Sequence, residues 1–480
     1  MTGKLVSPVQ QLSAPPADDD EHQRLQRYEQ WWREQGQAIS ADVDRGGGAG
    51  LQLHDRLGRR IDRVCWPAGY RDMLVRGYAE GTVAAARETG SLLPCCRIGY
   101  VTGFFDPGLY CPHTVSLATL VALDKYGGRG VTDWIERLSR RDGSVWQGAT
   151  WMTEAGGGSD LGAGVETRAE RAGDDWRLIG EKHFASNADA ELALVAARPA
   201  DAPAGVHGLA LFAVPRLDPQ GRLNFRIRRL KNKIATRSVA TGEIGLEGSL
   251  ARALGDPGQG IYLIMEVLNV SRVANSLASA ALVQRALAET LIFARERVVF
   301  GKPLIEQPLF RREFDDWCRR FSGAAALAWA AAAELDAVWR ESPPYSQRYH
   351  RFRLLAHLAK YWTADQAVAA ARWAIEAHGG NGLIQDYGIE RLLREALVLS
   401  VWEGTPHRQM LDGLAVMARE GVHEDLIEWL GQPVGADRQR AAIEALLARP
   451  RAEREAEIGA VFNGFAEWTA TALAVSRGVQ

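Results

Sequence analysis

The segment LSVWEGTPH, Leu399 to His407, sets one carboxylate, Glu403, after mostly apolar residues and just before Gly-Thr-Pro. A surface acid has no need of such neighbours. A carboxylate that takes a proton from a substrate does, because partial burial raises its pKa and makes it a stronger base. Thr405 suits a helix N-cap and Pro406 the first helical position, so Glu403 is expected on the loop just ahead of a helix. An exposed Glu favoured by the helix dipole would occupy the same place, and the segment alone leaves both readings open.

Four other stretches carry chemistry. MTEAGGGSD (152–160) offers glycines that let backbone N–H groups approach a ligand, with Thr153 and Ser159 as further donors. It has no Lys of a phosphate-binding loop and no βαβ context, and a plain Gly-rich turn reads the same way. In EKHFASNAD (181–189), Phe184 can stack on a flat cofactor and Ser186 can donate to it; a core Phe beside a strand-end Ser is the competing reading. ARERVVFGKPL (294–304) places Arg297 near a helix C-terminus, where cations are favoured anyway, and its planar fork also suits a pyrophosphate. EAHGGNGLIQDYGIERLLREA (376–396) has Gly379, Gly380 and Gly382, more glycine than a helix C-cap requires.

The elements that must position these residues follow from pattern. Residues 1–50 read as a flexible lead, polar and Pro-rich at SAPPADDDEH and broken at RGGGAG, with a helix possible at RLQRYEQWWREQG. Residues 51–145 read as an N-terminal helical domain and 146–254, with short β-branched and aromatic runs between turns, as a middle antiparallel β-domain. From 255 to 420 the helical period returns in long segments, 260–297, 304–338 and 349–377 and a shorter one from about Pro406, which suggests an antiparallel bundle. Residues 421–480 read as a helical tail.

In this order the stretches resemble the acyl-CoA dehydrogenase family, over residues 60 to 417. M-T-E-x-x-G-G-S-D, the E-K strand with an aromatic and a Ser, A-x-E-R-x-x-F-G, H-G-G-N-G and W-E-G-T all stand in family sequence. GRRIDRVCWPAGYRDML (58–74), CPHTVSLAT (111–119), RLKNKIATRSVATGEI (229–244) and FGKPLIEQPL (300–309) point to the branch of the adaptive-response alkylation-damage flavoprotein. The resemblance implies a mainly α fold with a central β-domain, closed by a C-terminal four-helix bundle. It implies FAD held between β-domain and bundle and completed by a neighbouring subunit. Met152, Thr153, Gly158 and Ser159 would line the flavin, Phe184 would pack on it, and Ser186 would lie near its N5. From the neighbouring subunit, Arg297, Phe300, Glu376, Gly379 and Gly380 would meet the pyrophosphate and adenine side. Thr405 and His407 would hold the adenosine half. Ser159, Arg272 and Gly404 would meet the substrate.

By the same resemblance Glu403 is the base that takes the α-proton of an acyl thioester, CoA-bound or carrier-bound, while a hydride passes to the flavin. The family's other base position falls in LNVSRVA (268–274), which has no acid. Three departures stand out: His183-Phe184-Ala185 replaces the usual aromatic-Ile pair, Glu376 stands where Gln is common, and Pro406 and His407 are unusual in the last motif. The implied partners are an electron-transferring flavoprotein or similar acceptor and a homodimer or homotetramer. Other readings are a flavin-containing protective or nucleic-acid-associated protein with little dehydrogenase activity, and an oxidase or hydroxylase on the same fold.

Composition narrows these. A net charge of −2 over 480 residues gives no bulk attraction to nucleic acid or anionic membrane. Residues 431–480 hold six Arg and six Asp/Glu, a balance that argues against a nucleic-acid face there. Seven Lys among 57 basic residues leave 50 Arg, a bias that fits a GC-rich genome better than phosphate binding. Five cysteines, an odd number with no C-x-x-C pair, fit neither a disulfide framework nor a zinc site. The opening MTGKLVSPVQQL has no signal-peptide core, and the apolar tract AAALAWAAAA is short for a bilayer, so a cytoplasmic protein is expected.

Overall fold

The computed structural model describes residues 5–12 and 14–476. Residues 1–4 and 13 of the expected lead, and 477–480 of the expected tail, lie outside the described residues. The chain folds as two compact units, Gln30–Ser271 and the residues up to Glu29 together with those from Arg272 onward.

The expected flexible lead is corrected first. Helix α1 (Asp19–Trp31) and helix α2 (Gln37–Arg45) fill it, with Leu25, Tyr28, Trp32 and Val43 buried. The acidic run that reads as disorder is the first turn of α1, where Asp19, Asp20 and Glu21 sit favourably at the positive end of the helix dipole. A hairpin of β1 (Gly50–His54) and β2 (Arg60–Cys65) follows, where only helices were expected. Asp55 builds its turn, accepting from the backbone N–H of Leu57 at 2.8 Å and of Arg59 at 2.9 Å.

Helices α3 (Tyr70–Glu80), α4 (Ala84–Thr89), α5 (Leu93–Phe105), α6 (Pro107–Tyr126) and α7 (Thr132–Leu138) complete the N-terminal domain. Almost every residue of α5 is buried, so its contacts must be close on all sides. A Cβ at Gly99 would come within 2.1 Å of the buried Tyr110 ring. Gly99→Ala is therefore expected to overpack this contact and cost about 1–3 kcal/mol, read as a lower urea midpoint. Asp106, fully buried between α5 and α6, accepts from Ser40 Oγ at 2.6 Å, from Leu109 N at 2.9 Å and from Ser238 Oγ at 2.6 Å. It thereby ties this domain to the β-domain that follows.

Strands β3 (Gly148–Trp151), β4 (Arg168–Ala172), β5 (Asp175–Ser186), β6 (Leu192–Pro199), β7 (Ala210–Pro215), β8 (Arg226–Leu230) and β9 (Thr241–Ala253) form the middle domain. The ladder β6-β4-β5-β9-β7 returns to β6 and closes a barrel, with β3 beside β6 and β8 beside β9. Most pairings are antiparallel; β6 instead pairs parallel with β3 and β4. Its run LALVAA is buried throughout, as a strand covered on both faces must be. Trp151 meets Phe225 edge-on at 4.9 Å and Trp176 meets Phe212 at 5.3 Å within the barrel core.

The other unit is helical. It takes most of α8 (Gly260–Glu296), a two-residue-stranded hairpin β10 (Val298–Val299) and β11 (Lys302–Pro303), then α9 (Pro308–Val338) and α10 (Gln347–His378). Next come α11 (Ile389–Val401) and α12 (Pro406–Glu420), and then α13 (Val422–Trp429), α14 (Ala436–Leu447) and α15 (Arg451–Ser476). Helix α11 was not separated from the glycine cluster in the sequence; Gly388, at φ 70°, makes the break that starts it. Among the described residues two helices, α8 with its short lead-in and α9, are long and apolar enough to cross a membrane by length and composition, although the tract AAALAWAAAA alone is short. Each has 78% of its most apolar window buried, as core helices do.

His113 on α6 sets a pH dependence. Its ring is fully buried, bonded to the Leu74 carbonyl at 3.0 Å, and burial pushes it down to about 4. The unfolded chain, with His near 6.5, binds more protons between these values. The contribution is complete above pH 6.5 and is lost as pH falls through 4, up to about 3 kcal/mol. The urea midpoint should fall between pH 7 and 4.5, and His113→Phe should flatten that fall.

Candidate functional site

Two clusters collect the candidate residues, one in each unit. In the barrel unit, three bonds fasten the end of β3 and its loop to β5. Trp151 Nε1 donates to the Ser186 carbonyl at 2.9 Å, Lys182 Nζ to the Met152 carbonyl at 3.4 Å, and His183 N to the Thr153 carbonyl at 3.0 Å. Met152 and Thr153 are thereby brought beside Phe184 and Ser186. Beneath them Lys182 reaches the Glu154 carboxylate at 2.6 Å, and Thr167 Oγ and the Glu166 N–H bind the same carboxylate at 2.6 and 2.8 Å. Burial pushes Glu154 up, but Lys182 and these donors outweigh it, and the carboxyl ends below its usual range. Burial takes Lys182 down to about 8, so the pair is ionised at neutral pH.

From this anchor the loop runs outward. Gly157 lies against Gly164 so closely that a Cβ on either would strike the other's backbone, and Gly158 takes φ 72°. Gly158 and Ser159 are exposed. Phe184 is 59% exposed between half-buried His183 and buried Ala185, with the Lys231 ammonium 4.7 Å from its ring centroid. Ser186 Oγ lies 3.3 Å from Thr241 Oγ1. A bare aromatic face, flanking hydroxyls and an exposed glycine loop fit a flat, polar-edged cofactor such as a flavin. The departure at His183 has a counterpart nearby: Lys231 Nζ contacts its Nε2 at 3.0 Å and Glu243 at 2.8 Å. Hydrogen bonds from Arg229 and Lys231 hold Glu243 at about 2.

In the helical unit, Glu403 stands on the turn between α11 and α12, as the sequence implied. Thr405 caps α12, its hydroxyl accepting from Arg408 N at 3.4 Å, and Pro406 is the first helical residue. Glu403 itself has φ 57°, a left-handed conformation uncommon outside glycine, followed by Gly404 at 98°. Side chains from three helices hold this turn. Gln409 Nε2 donates to the carbonyls of Glu403 and Gly404, both at 3.0 Å, and Lys360 Nζ donates to those of Ser400 at 2.9 Å and Gly404 at 2.6 Å. Arg272 Nε donates to the Glu403 carbonyl at 3.4 Å, and Asn275 binds both the Leu399 carbonyl and the Trp402 indole. A strained conformation this heavily tied marks a site where geometry matters. Burial raises the Glu403 carboxyl, and the opposing Arg272 and Lys360 charges only moderate that rise.

Behind the turn, Gln409 uses its amide nitrogen on two carbonyls, so its oxygen accepts from His357 Nδ1 at 2.8 Å. The buried ring is pushed down to about 3 and is neutral. Asp412 pairs with Arg272 at 3.5 Å and with Arg408.

The remaining candidates lie at the far end of the unit. Arg297 and Phe300 follow the end of α8, where Phe300 is 99% exposed at φ 49°. Glu376, Gly379 and Gly380 close α10, where His378 stacks on Phe293 at 4.4 Å and so adjoins the end of α8. At 1.5 Å per residue, Arg272 and the end of α8 are about 36 Å apart along the axis. Within one chain, then, Arg272, Glu403, Gly404, Thr405 and exposed His407 form one group and the Arg297 set another. Sequence reasoning missed Lys360, Gln409, Asn275, His357 and Asp412. One signal was available: Lys360 is one of seven lysines and stands, with His357, in a mostly apolar stretch, LLAHLAKYW.

Family models match in succession: the adaptive response protein AidB N-terminal domain over 6–142, the acyl-CoA dehydrogenase middle domain over 149–249 and the acyl-CoA dehydrogenase C-terminal domain over 258–418. The putative acyl-CoA dehydrogenase AidB of Escherichia coli is 32% identical over 437 residues, 85% of this chain and 77% of that protein. Acyl-CoA dehydrogenase family member 11 of Caenorhabditis elegans is 32% identical over 389 residues, 77% of this chain; the chain spans 62% of the nematode protein's length. The crystal structure of C. elegans ACDH-11 in complex with C11-CoA superposes with a TM-score of 0.79 at 26% identity, covering 98% of this chain and 87% of that one. With its helical, barrel and helical domains matched in order, the chain belongs to the acyl-CoA dehydrogenase family of flavoenzymes, in the branch with an AidB-type N-terminal domain.

Proposed function

We propose that the protein is an FAD-dependent dehydrogenase that removes the α-proton and β-hydride of an acyl thioester, with Glu403 as the base. The observation that carries this reading is the Glu403 turn: a left-handed acid, tied by Gln409, Lys360 and Arg272, whose carboxyl burial raises toward a working base. FAD, when bound, supplies the acceptor for the hydride.

The chain's own residues do the rest. Phe184 would offer a face for the flavin, with Met152, Thr153, Ser159 and Ser186 as the polar and apolar residues that would hold its edge. The Glu403 carboxylate takes the α-proton and is neutral afterwards, a change its desolvated surroundings favour. Trp402, its indole bonded to Asn275, stands beside it in the chain. Arg272 keeps a positive charge near the carboxylate before the proton arrives.

Arg297, Phe300, Glu376, Gly379 and Gly380, remote from Glu403 in one chain, would serve a cofactor bound by a neighbouring copy, so a homo-oligomer is part of the proposal. An electron-transferring flavoprotein or similar acceptor would reoxidise the flavin. The nematode relative's complex with C11-CoA supports a medium-length acyl-CoA as first substrate to try.

The test is a visible spectrum of the purified protein, followed by anaerobic addition of saturated acyl-CoAs from C4 to C16. Flavin absorption bleached by one of them is the expected result. Flavin that no thioester bleaches, or protein without flavin, overturns the reading. The match to the AidB N-terminal domain favours a second reading, a flavin-containing protective protein; unbleached flavin with DNA retained in a gel shift at physiological salt would select it.

A further inference from the structure

We propose that Lys360 is a positioning residue for Glu403: its buried ammonium clamps the two carbonyls that flank the left-handed turn and holds a positive charge behind the base. This deepens the reading of Glu403 as the base and rests on it.

The geometry is specific. Lys360 lies in the interior of α10 and is 1% exposed. A buried ammonium is costly unless its donors are used. Here it donates to two backbone carbonyls of one short segment, Ser400 at 2.9 Å and Gly404 at 2.6 Å. These carbonyls bracket Glu403, the first at the last turn of α11 and the second just past the residue at φ 57°. A helix C-terminus attracts a cation, but the second bond reaches beyond the helix and fixes the exit of the turn. Drawing both carbonyls to one nitrogen prevents the turn from opening to the extended conformation that a non-glycine residue prefers.

The charge matters as well. The groups acting on Lys360 are Glu403 from the turn and Arg272 from α8; α9, α13 and α15, which also lie against α10, present no acting charge among the described residues. Further back stand Arg408 and Asp412 of α12 and His357 and Arg353 of α10 itself, which act on Arg272 and Asp412. His357 is neutral, and Asp412 is paired to Arg272 and Arg408. Lys360 is therefore the titrating cation in contact with the turn: burial takes it down to about 7, so its charge is lost within the working pH range. While charged it holds Glu403 ionised and ready to accept a proton; once neutral it leaves the acid harder to ionise.

The experiment uses the full-length holoprotein and three variants, Lys360→Met, Lys360→Arg and Glu403→Gln. Amide hydrogen exchange is followed without substrate. In Lys360→Met, exchange across 399–405 should rise at least tenfold while 93–105 in α5 stays unchanged, and Lys360→Arg should remain near wild type. Anaerobic flavin bleaching by undecanoyl-CoA is then measured from pH 5.5 to 9. Lys360→Met should lower the rate at least tenfold with KM within twofold and move the acidic limb upward by about one unit, because loss of a nearby cation raises a carboxyl pKa. Lys360→Arg, which does not titrate here, should remove the alkaline limb near pH 7. Unchanged exchange at 399–405, or a rise spread evenly over the chain, overturns the clamp. If Lys360→Met does not fold, Lys360→Gln carries the same test. Full activity in Glu403→Gln would instead sink the base assignment, and the exchange result would stand apart from it.

Discussion

Glu403→Gln is expected to keep FAD and to lose turnover by about 10³-fold, within the range that a positioned base contributes. The substitution preserves shape, and the turn is held through its main chain: Gln409, Arg272 and Lys360 bind backbone carbonyls. The fold of the turn should therefore survive while its proton acceptor is gone. The loss should fall on the rate of flavin bleaching and leave acyl-CoA binding within a few-fold, because an interaction made only in the transition state lowers kcat and kcat/KM together. Stopped-flow reduction with undecanoyl-CoA, alongside a flavin spectrum and a thioester binding titration, checks each part. Turnover at the wild-type rate would remove Glu403 from the chemistry.

Lys182→Met is expected to be the most destabilising single change in the barrel, at about 3–5 kcal/mol. It strands Glu154, 5% exposed and with a carboxylate still held by Thr167 and the Glu166 N–H but no longer neutralised. It also removes bonds to the Met152 and Ala196 carbonyls that join the glycine loop, β5 and β6. The double change Glu154→Gln with Lys182→Met should recover part of the loss, because a neutral amide tolerates burial far better than a lone carboxylate. Urea unfolding of the three variants checks the ranking, and flavin retention should follow it, since the same pair fixes Met152 and Thr153 beside Phe184. Equal midpoints for the single and double variants would mean that the charge is not the cause.

The fold was readable where a segment's own pattern sufficed. The long periods of α8, α9 and α10 and the β-branched runs between Trp146 and Leu246 each carry a local signature. Thr405-Pro406 located the start of α12, because capping is chemistry between near neighbours. The lead was only half readable: a helix at RLQRYEQWWREQG was expected as possible, but not its acidic first turn nor the burial of Leu25, Tyr28 and Trp32, which depends on surfaces distant in sequence. The β1-β2 hairpin and α11 were missed because short elements lack enough periods to stand out.

The sequence by itself determined the order of helical, β and helical domains and the five motifs, since each rests on residue type and near spacing, and the family resemblance those motifs carry singled out Glu403 as the candidate base. Tertiary structure decided what surrounds that base. Lys360, Gln409, Asn275 and Arg272 come from three helices, and no spacing rule links residue 272 to 360 or 403. It also decided that Glu403 adopts a left-handed backbone and a raised carboxyl, because strain and desolvation are imposed by packing. A local pattern can offer an acid to a site; only the elements folded around that acid set its conformation and its proton affinity.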